Sequence, residues 1–151
     1  MKLHILTLLM LLMAFNAFAQ TDPAVDNYFL GWKFLNGRYD MPRDYDKAVK
    51  YFTLAADAGL SAGVCDLGYC YFNGLGVQKD QKKALELFQK AARMDEPDEF
   101  AQLYLYYFYG EGILVKKDKK MSNYWWSQCS EHFDEEDAVN YIVKLYHPEL
   151  R

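Results

Sequence analysis

Hydrophobic and polar positions recur along this chain with a long period. Three aromatic-rich segments, FLGWKFLNG (29–37), DLGYCYFNG (66–74) and QLYLYYFYG (102–110), each end on a glycine. Leu30, Leu67 and Leu103 align at spacings of 37 and 36, and so do Phe34, Tyr71 and Tyr107, and Gly37, Gly74 and Gly110. A more polar segment follows each: DYDKAVKYFTLAA (44–56), DQKKALELFQKAA (80–92) and, more loosely, DKKMSNYWWSQCS (118–130). Asp44, Asp80 and Asp118 open these at spacings of 36 and 38. Ala48, Ala84 and Ser122 come four residues later, then the bulky pairs Tyr51-Phe52, Leu87-Phe88 and Trp125-Trp126, then the small pairs Ala55-Ala56, Ala91-Ala92 and Cys129-Ser130. A period in this range marks an array of supersecondary units.

Each unit predicts two helices joined by a glycine-bearing turn. In the first helix Leu67 and Tyr71 are four apart and share a face, with Gly68 beside them to admit a neighbouring helix. In the second, Ala84, Phe88, Ala91 and Ala92 form one apolar stripe at helical spacing, and Asp80 stands where a carboxylate caps the first free N–H groups. The stretch YFNGLGVQKD (71–80) has the glycine spacing of a candidate phosphate loop, but such a loop follows a strand and opens a helix. Here a helical pattern precedes it, a third glycine is missing from the register and no Lys-Ser/Thr ending follows. Gly74 and Gly76 are expected to be the C-cap and turn of a helical hairpin, where positive φ is needed.

The stretch LGYCYFNGLGVQKDQKKALELFQKAARMDE resembles a Sel-one-like repeat, a relative of the tetratricopeptide repeat. Its Leu-Gly, the following aromatic, the Gly-x-Gly-Val turn, the Asp, the Lys-Ala and the closing Ala-Ala all match over residues 67–92. The likeness covers about residues 24–130. It implies an all-α, TPR-like helical-hairpin solenoid of three units, about 24–60, 61–96 and 97–133, within residues 20–133. Residues 134–151, with DEEDAVNYIVKLYHPEL, are expected to form a C-terminal capping half-repeat, as solenoids need. Two units depart from the pattern: GRYDMPRD replaces the second turn glycine in the first, and Tyr104 is assigned to the place of Gly31 and Gly68 in the third.

In repeats of this kind the first helices line a concave face where peptides or proteins bind. Carrying the repeat register onto that face gives Tyr28, Trp32, Leu35 and Asn36 in the first unit, Cys65, Tyr69, Phe72 and Asn73 in the second, and Ala101, Leu105, Phe108 and Tyr109 in the third. The candidate groove is taken as Tyr28, Trp32, Asn36, Tyr69, Asn73, Leu105, Phe108 and Tyr109. Aromatic rings offer large contact area at low entropic cost, and Asn36 and Asn73 carry donor and acceptor together. The competing reading packs Phe72, Leu105 and Phe108 between units and uses the two asparagines as helix caps.

Composition narrows the function classes. The chain opens MKLHILTLLMLLMAFNAFAQ, a basic residue, an apolar run and Ala17-Phe18-Ala19, which predict a signal peptide over residues 1–19 cleaved after Ala19. The run is shorter than the roughly 20 residues of a membrane span. Export to the periplasm or outside the cell is therefore expected, with a mature chain of one domain. The formal net charge is −4, and neither a nucleic-acid footprint nor a polybasic membrane patch is present. Cys65 and Cys70 on one helix would hold their Cα atoms roughly 9 Å apart, beyond disulfide reach, so these and Cys129 are expected to be free buried thiols. No hydrolase or zinc-protease motif occurs, no zinc spacing joins the cysteines, and the acidic residues 134–137 fit a helix start. No catalytic residue, metal or cofactor is assigned. The expected role is a monomeric, non-catalytic protein–protein interaction module. The resemblance also admits a periplasmic immunity protein neutralising a secreted toxin, and a cell-wall or small-ligand binder is a third class.

Overall fold

The computed structural model describes residues 22–38, 40–129, 131 and 133–146. The expected leader and its cleavage point lie outside them. Among the described residues seven helices follow one another: α1 (Pro23–Asn36), α2 (Tyr45–Asp57), α3 (Ser61–Asn73), α4 (Gln81–Ala91), α5 (Glu99–Glu111), α6 (Lys119–Cys129) and α7 (Glu135–Tyr146). They pair as the hairpins α1/α2, α3/α4 and α5/α6. Helix α2 packs on α3, α4 on α5, and α7 on α5. This is the all-α hairpin solenoid that the period predicts.

The local signals explain the boundaries. Asp44 and Asp80 each accept the N–H three residues on, at 3.0 and 2.9 Å, capping α2 and α4. Asp118 accepts the N–H groups of Lys120 and Met121 at the entry of α6. Gly74 closes α3 at φ 75°, its N–H donating to the Cys70 carbonyl at 2.8 Å. Gly76 follows at φ 66°. It is needed for a second reason, because a Cβ there would run into the Tyr45 carbonyl and stand 2.9 Å from the Asp46 nitrogen. The turn of the second unit therefore sits directly on the backbone where α2 begins. Both glycines serve the hairpin turn.

The third unit corrects the sequence register by two residues. Helix α5 runs through Gly110 and ends at Gly112, whose N–H bonds to the Phe108 carbonyl as Gly37 does to Lys33 and Gly74 to Cys70. Asp118 N–H meets the Tyr109 carbonyl at 2.9 Å, the counterpart of Asp80 N–H on Tyr71. Leu105, not Leu103, thus corresponds to Leu67, and Tyr106, not Tyr104, replaces Gly31 and Gly68. Leu114 takes the place of Gly76 and holds φ 59°. Two glycines in GEG left the local pattern ambiguous, whereas the uninterrupted spacing from Leu67 to Asp80 and from Leu105 to Asp118 does not.

The core divides in two. Ala48, Phe52, Leu67 and Cys70 knit the first unit to α3. A larger cluster runs from Val64 through Phe88, Leu103, Leu105, Phe108 and Trp125 to Ala138 and Ile142 of α7. Cys65, Cys70 and Cys129 are all free and buried within these clusters.

Candidate functional site

A cavity of about 250 Å³ opens along the row of first helices. Helix α1 contributes Trp32, Leu35 and Asn36, α3 contributes Asp66 and Tyr69, α5 contributes Tyr104, and α7 contributes Tyr141. Arg43 and Tyr45, at the start of α2, and Leu75 complete the wall. The repeat brings these together because successive first helices stack side by side, so residues about one period apart become neighbours.

Of the residues assigned to the groove from sequence, Trp32, Asn36 and Tyr69 line this cavity. Trp32 is half-buried, and the Arg38 guanidinium lies 5.0 Å from its ring centre. Tyr28 lines a second recess with Asp26, Phe29, Trp32 and Lys33, and its hydroxyl donates to the Asp66 carboxylate. Asn36 and Asn73 each turn an amide N–H back onto their own helix, to the Trp32 carbonyl at 2.9 Å and the Tyr69 carbonyl at 3.0 Å. They cap the last turn, and Asn73 does not reach the cavity wall.

Leu105 and Phe108 are corrections. Both are fully buried, Leu105 at the inward position of Leu67 and Phe108 at that of Cys70. Phe108 packs on Phe72 at 5.8 Å and edge-on against Phe88 at 5.7 Å. Tyr109 takes the place of Phe34 and Tyr71, the positions that face the second helix of the hairpin. There Phe34 stacks on Tyr51 at 5.7 Å and Tyr71 carries the Lys83 ammonium at 4.1 Å. The two-residue slip moved all three from hairpin interior to groove.

Sequence reasoning missed Asp66, Tyr104 and Tyr141. Asp66 is the one charged residue in α3, a usable signal. It is half-buried and accepts from Tyr28. Burial and then the Asp98 carboxylate push it up to about 7, partly countered by the Tyr28 hydroxyl. Asp98 caps α5 by accepting the Ala101 N–H at 2.8 Å, and burial lifts it too, against the hydrogen bonds from Cys65 and the helix N–H groups. Among the described residues no lysine or arginine is paired with either carboxylate. Tyr104 is buried with its ring stacked 4.3 Å from that of Phe88. Tyr141 is 43% exposed, and Phe100 holds its ring at 5.2 Å.

Comparison with known proteins agrees with the architecture. The Sel1 repeat profile matches three times, over residues 25–60, 61–96 and 100–131. The chain is 51% identical over 55 residues to rat (Rattus norvegicus) DAP3-binding cell death enhancer 1, covering 36% of this chain and 11% of that protein. It is 34% identical over 101 residues to the Arabidopsis thaliana ERAD-associated E3 ubiquitin-protein ligase component HRD3B, covering 66% and 15%. It therefore spans only a small part of these relatives. Among solved structures, a Sel1 repeat protein from Oxalobacter formigenes superposes with a TM-score of 0.68 at 28% identity, over 89% of this chain and 56% of that one. A protective antigen of uropathogenic Escherichia coli with the SLR fold gives 0.66 at 28% identity, over 83% and 26%. Three matched repeats folded as three stacked hairpins place this chain in the Sel1 repeat family.

Proposed function

We propose that this chain is an exported, non-catalytic interaction module that receives an extended segment of a protein partner along its first helices. The observation that carries the reading is the cavity walled by Trp32, Tyr69, Tyr104 and Tyr141. Clustered rings of this kind dominate the energetics of protein interfaces. Sel1 repeat proteins mediate protein–protein contacts in general, and two relatives are named for binding or for membership of an assembly. Export rests on the leader-like opening, and among the described residues no helix is long and apolar enough to cross a membrane.

Affinity capture from envelope and secreted fractions tests the reading, with a Trp32→Ala/Tyr69→Ala variant as the comparison. Both baits are first shown to share helical content and melting temperature. A protein retained by the wild type and lost by the variant supports the groove. Equal retention by both moves the interface elsewhere. N-terminal sequencing of the native protein tests export, with Gln20 the expected first residue.

A further inference from the structure

The groove holds one carboxylate among several rings, and this combination has a chemical preference. Asp66 shares the cavity with Trp32, Tyr69, Tyr104 and Tyr141. No basic side chain of the described residues neutralises it. Ring faces attract cations through their quadrupole, and a half-buried carboxylate attracts the same group far more strongly than one in water does. The Trp32 face already receives a guanidinium from Arg38 at 5.0 Å. Arg43, which does line the cavity, is exposed and donates to the Tyr45 hydroxyl at 3.3 Å.

We propose that this groove selects a lysine or arginine side chain of the bound segment, its aliphatic stem against the rings of Trp32 and Tyr69 and its charged head at the Asp66 carboxylate. The inference rests on the groove reading above and gives the partner its chemistry. Long basic side chains suit such a site, because the stem buries apolar surface while the head keeps its charge. A glutamate would meet Asp66 and Asp98 together and be repelled. An apolar side chain would strip water from the Asp66 carboxylate and supply no countercharge, leaving it only the Tyr28 hydrogen bond.

Binding should also depend on pH. The groups around Asp66 are Tyr28 from α1, Cys65, Tyr69 and Cys70 on its own helix, Asp98 ahead of α5, Tyr104 from α5, Tyr141 from α7, and Arg43 and Tyr45 on the same cavity. The tyrosines and cysteines among them that shift are all displaced upward, away from neutrality. Asp66, at about 7, gains its charge in the physiological range, and the Asp98 carboxyl beside it is displaced upward as well. A cationic ligand binds the ionised form, so its affinity should fall as pH drops from 8 to 6.

A positional-scanning octapeptide library tests this against the full chain as the cell processes it. One position is fixed in turn as Lys, Arg, norleucine, Gln or Glu. The expected result is at least about tenfold greater retention of the Lys or Arg pool than of the norleucine and Glu pools. In Asp66→Asn, which keeps an acceptor for Tyr28, the preference should shrink to within about twofold. Arg43→Gln should leave Lys retention equal or raised. Norleucine or Glu matching Lys, with retention still lost in Trp32→Ala/Tyr69→Ala, overturns the cation preference and leaves the groove standing. No pool retained above that double variant overturns both. Lower Lys retention in Arg43→Gln, or an unchanged preference in Asp66→Asn, also overturns the assignment.

Discussion

The ring of Tyr106 lies 5.1 Å from that of Trp126, at the place where Gly31 meets Phe52 and Gly68 meets Phe88 in the two preceding units. Without a Cβ on the first helix, Phe52 and Phe88 sink to full burial. A tyrosine at that site instead holds Trp126 half out, and its neighbour Trp125 becomes the core residue at 2% exposure.

This reverses the usual order of side-chain size and cost. Phe88→Ala is expected to destabilise by about 3–5 kcal/mol. Trp126→Ala, although it removes more atoms, should cost roughly half as much because less of its surface leaves water. Urea denaturation of both variants reads the difference. Equal costs would mean that the Tyr106–Trp126 pair is built into the core as tightly as the Gly68–Phe88 pair.

The two glycines should not respond alike to alanine. A Cβ at residue 31 would stand 2.7 Å from the Phe52 ring, whereas one at residue 68 would stand 3.1 Å from Phe88. Overpacking costs about 1–3 kcal/mol, and the better helix propensity of alanine returns up to about 1 kcal/mol. Gly31→Ala should therefore lower the melting temperature and Gly68→Ala should leave it nearly unchanged. A larger loss at residue 68 would contradict the packing described.

Asp66 gives stability a dependence on pH with a definite sign. Its folded value is raised to about 7, while the unfolded chain has it near the ordinary value of about 4. The folded state therefore holds its proton more tightly, and the resulting stability is complete below about pH 4 and lost as pH rises through about 7. Asp66→Asn removes this dependence. Its stability relative to wild type should rise from pH 4 to pH 8, by an amount on the order of 2 kcal/mol after allowance for solvent screening. Parallel urea titrations at the two pH values read it, and a constant difference would show that Asp66 ionises freely.

The three thiols should be slow to react in the folded protein. Burial pushes Cys70 up to about 12 and Cys129 up to about 11, and lifts Cys65 as well. The thiolate is the reactive form, so a disulfide reagent at pH 8 should label none of them quickly and all three once urea unfolds the chain. Rapid native labelling of one residue would identify a local opening there.

The hairpin period, the caps and the turn were legible in the sequence because each is a local signal. Asp80 and Gly74 do their work within one turn of where they stand. The third unit was not, since the choice between Gly110 and Gly112 depends on the distance to Asp118 rather than on either glycine. The groove was legible only in part for a related reason. Trp32, Asn36 and Tyr69 follow from repeat register, but Tyr104 and Tyr141 reach the cavity through the stacking of α5 and α7, which no single unit encodes. Asp66 was visible as a lone charge in an apolar helix, yet its meaning depends on Tyr28 and Asp98 from other helices.

The close seat of Gly76 on the start of α2 sets how far apart two neighbouring repeats stand. Backbone rests on backbone there, and Gly63 makes a similarly close approach to Ala55 and Ala56 at the packing of α3 on α2. Any other residue at position 76 would wedge the first repeat outward, drawing Trp32 on one wall away from Tyr69 on the other. The width of the opening between Trp32 and Tyr69 thus depends on a turn that is not part of its wall.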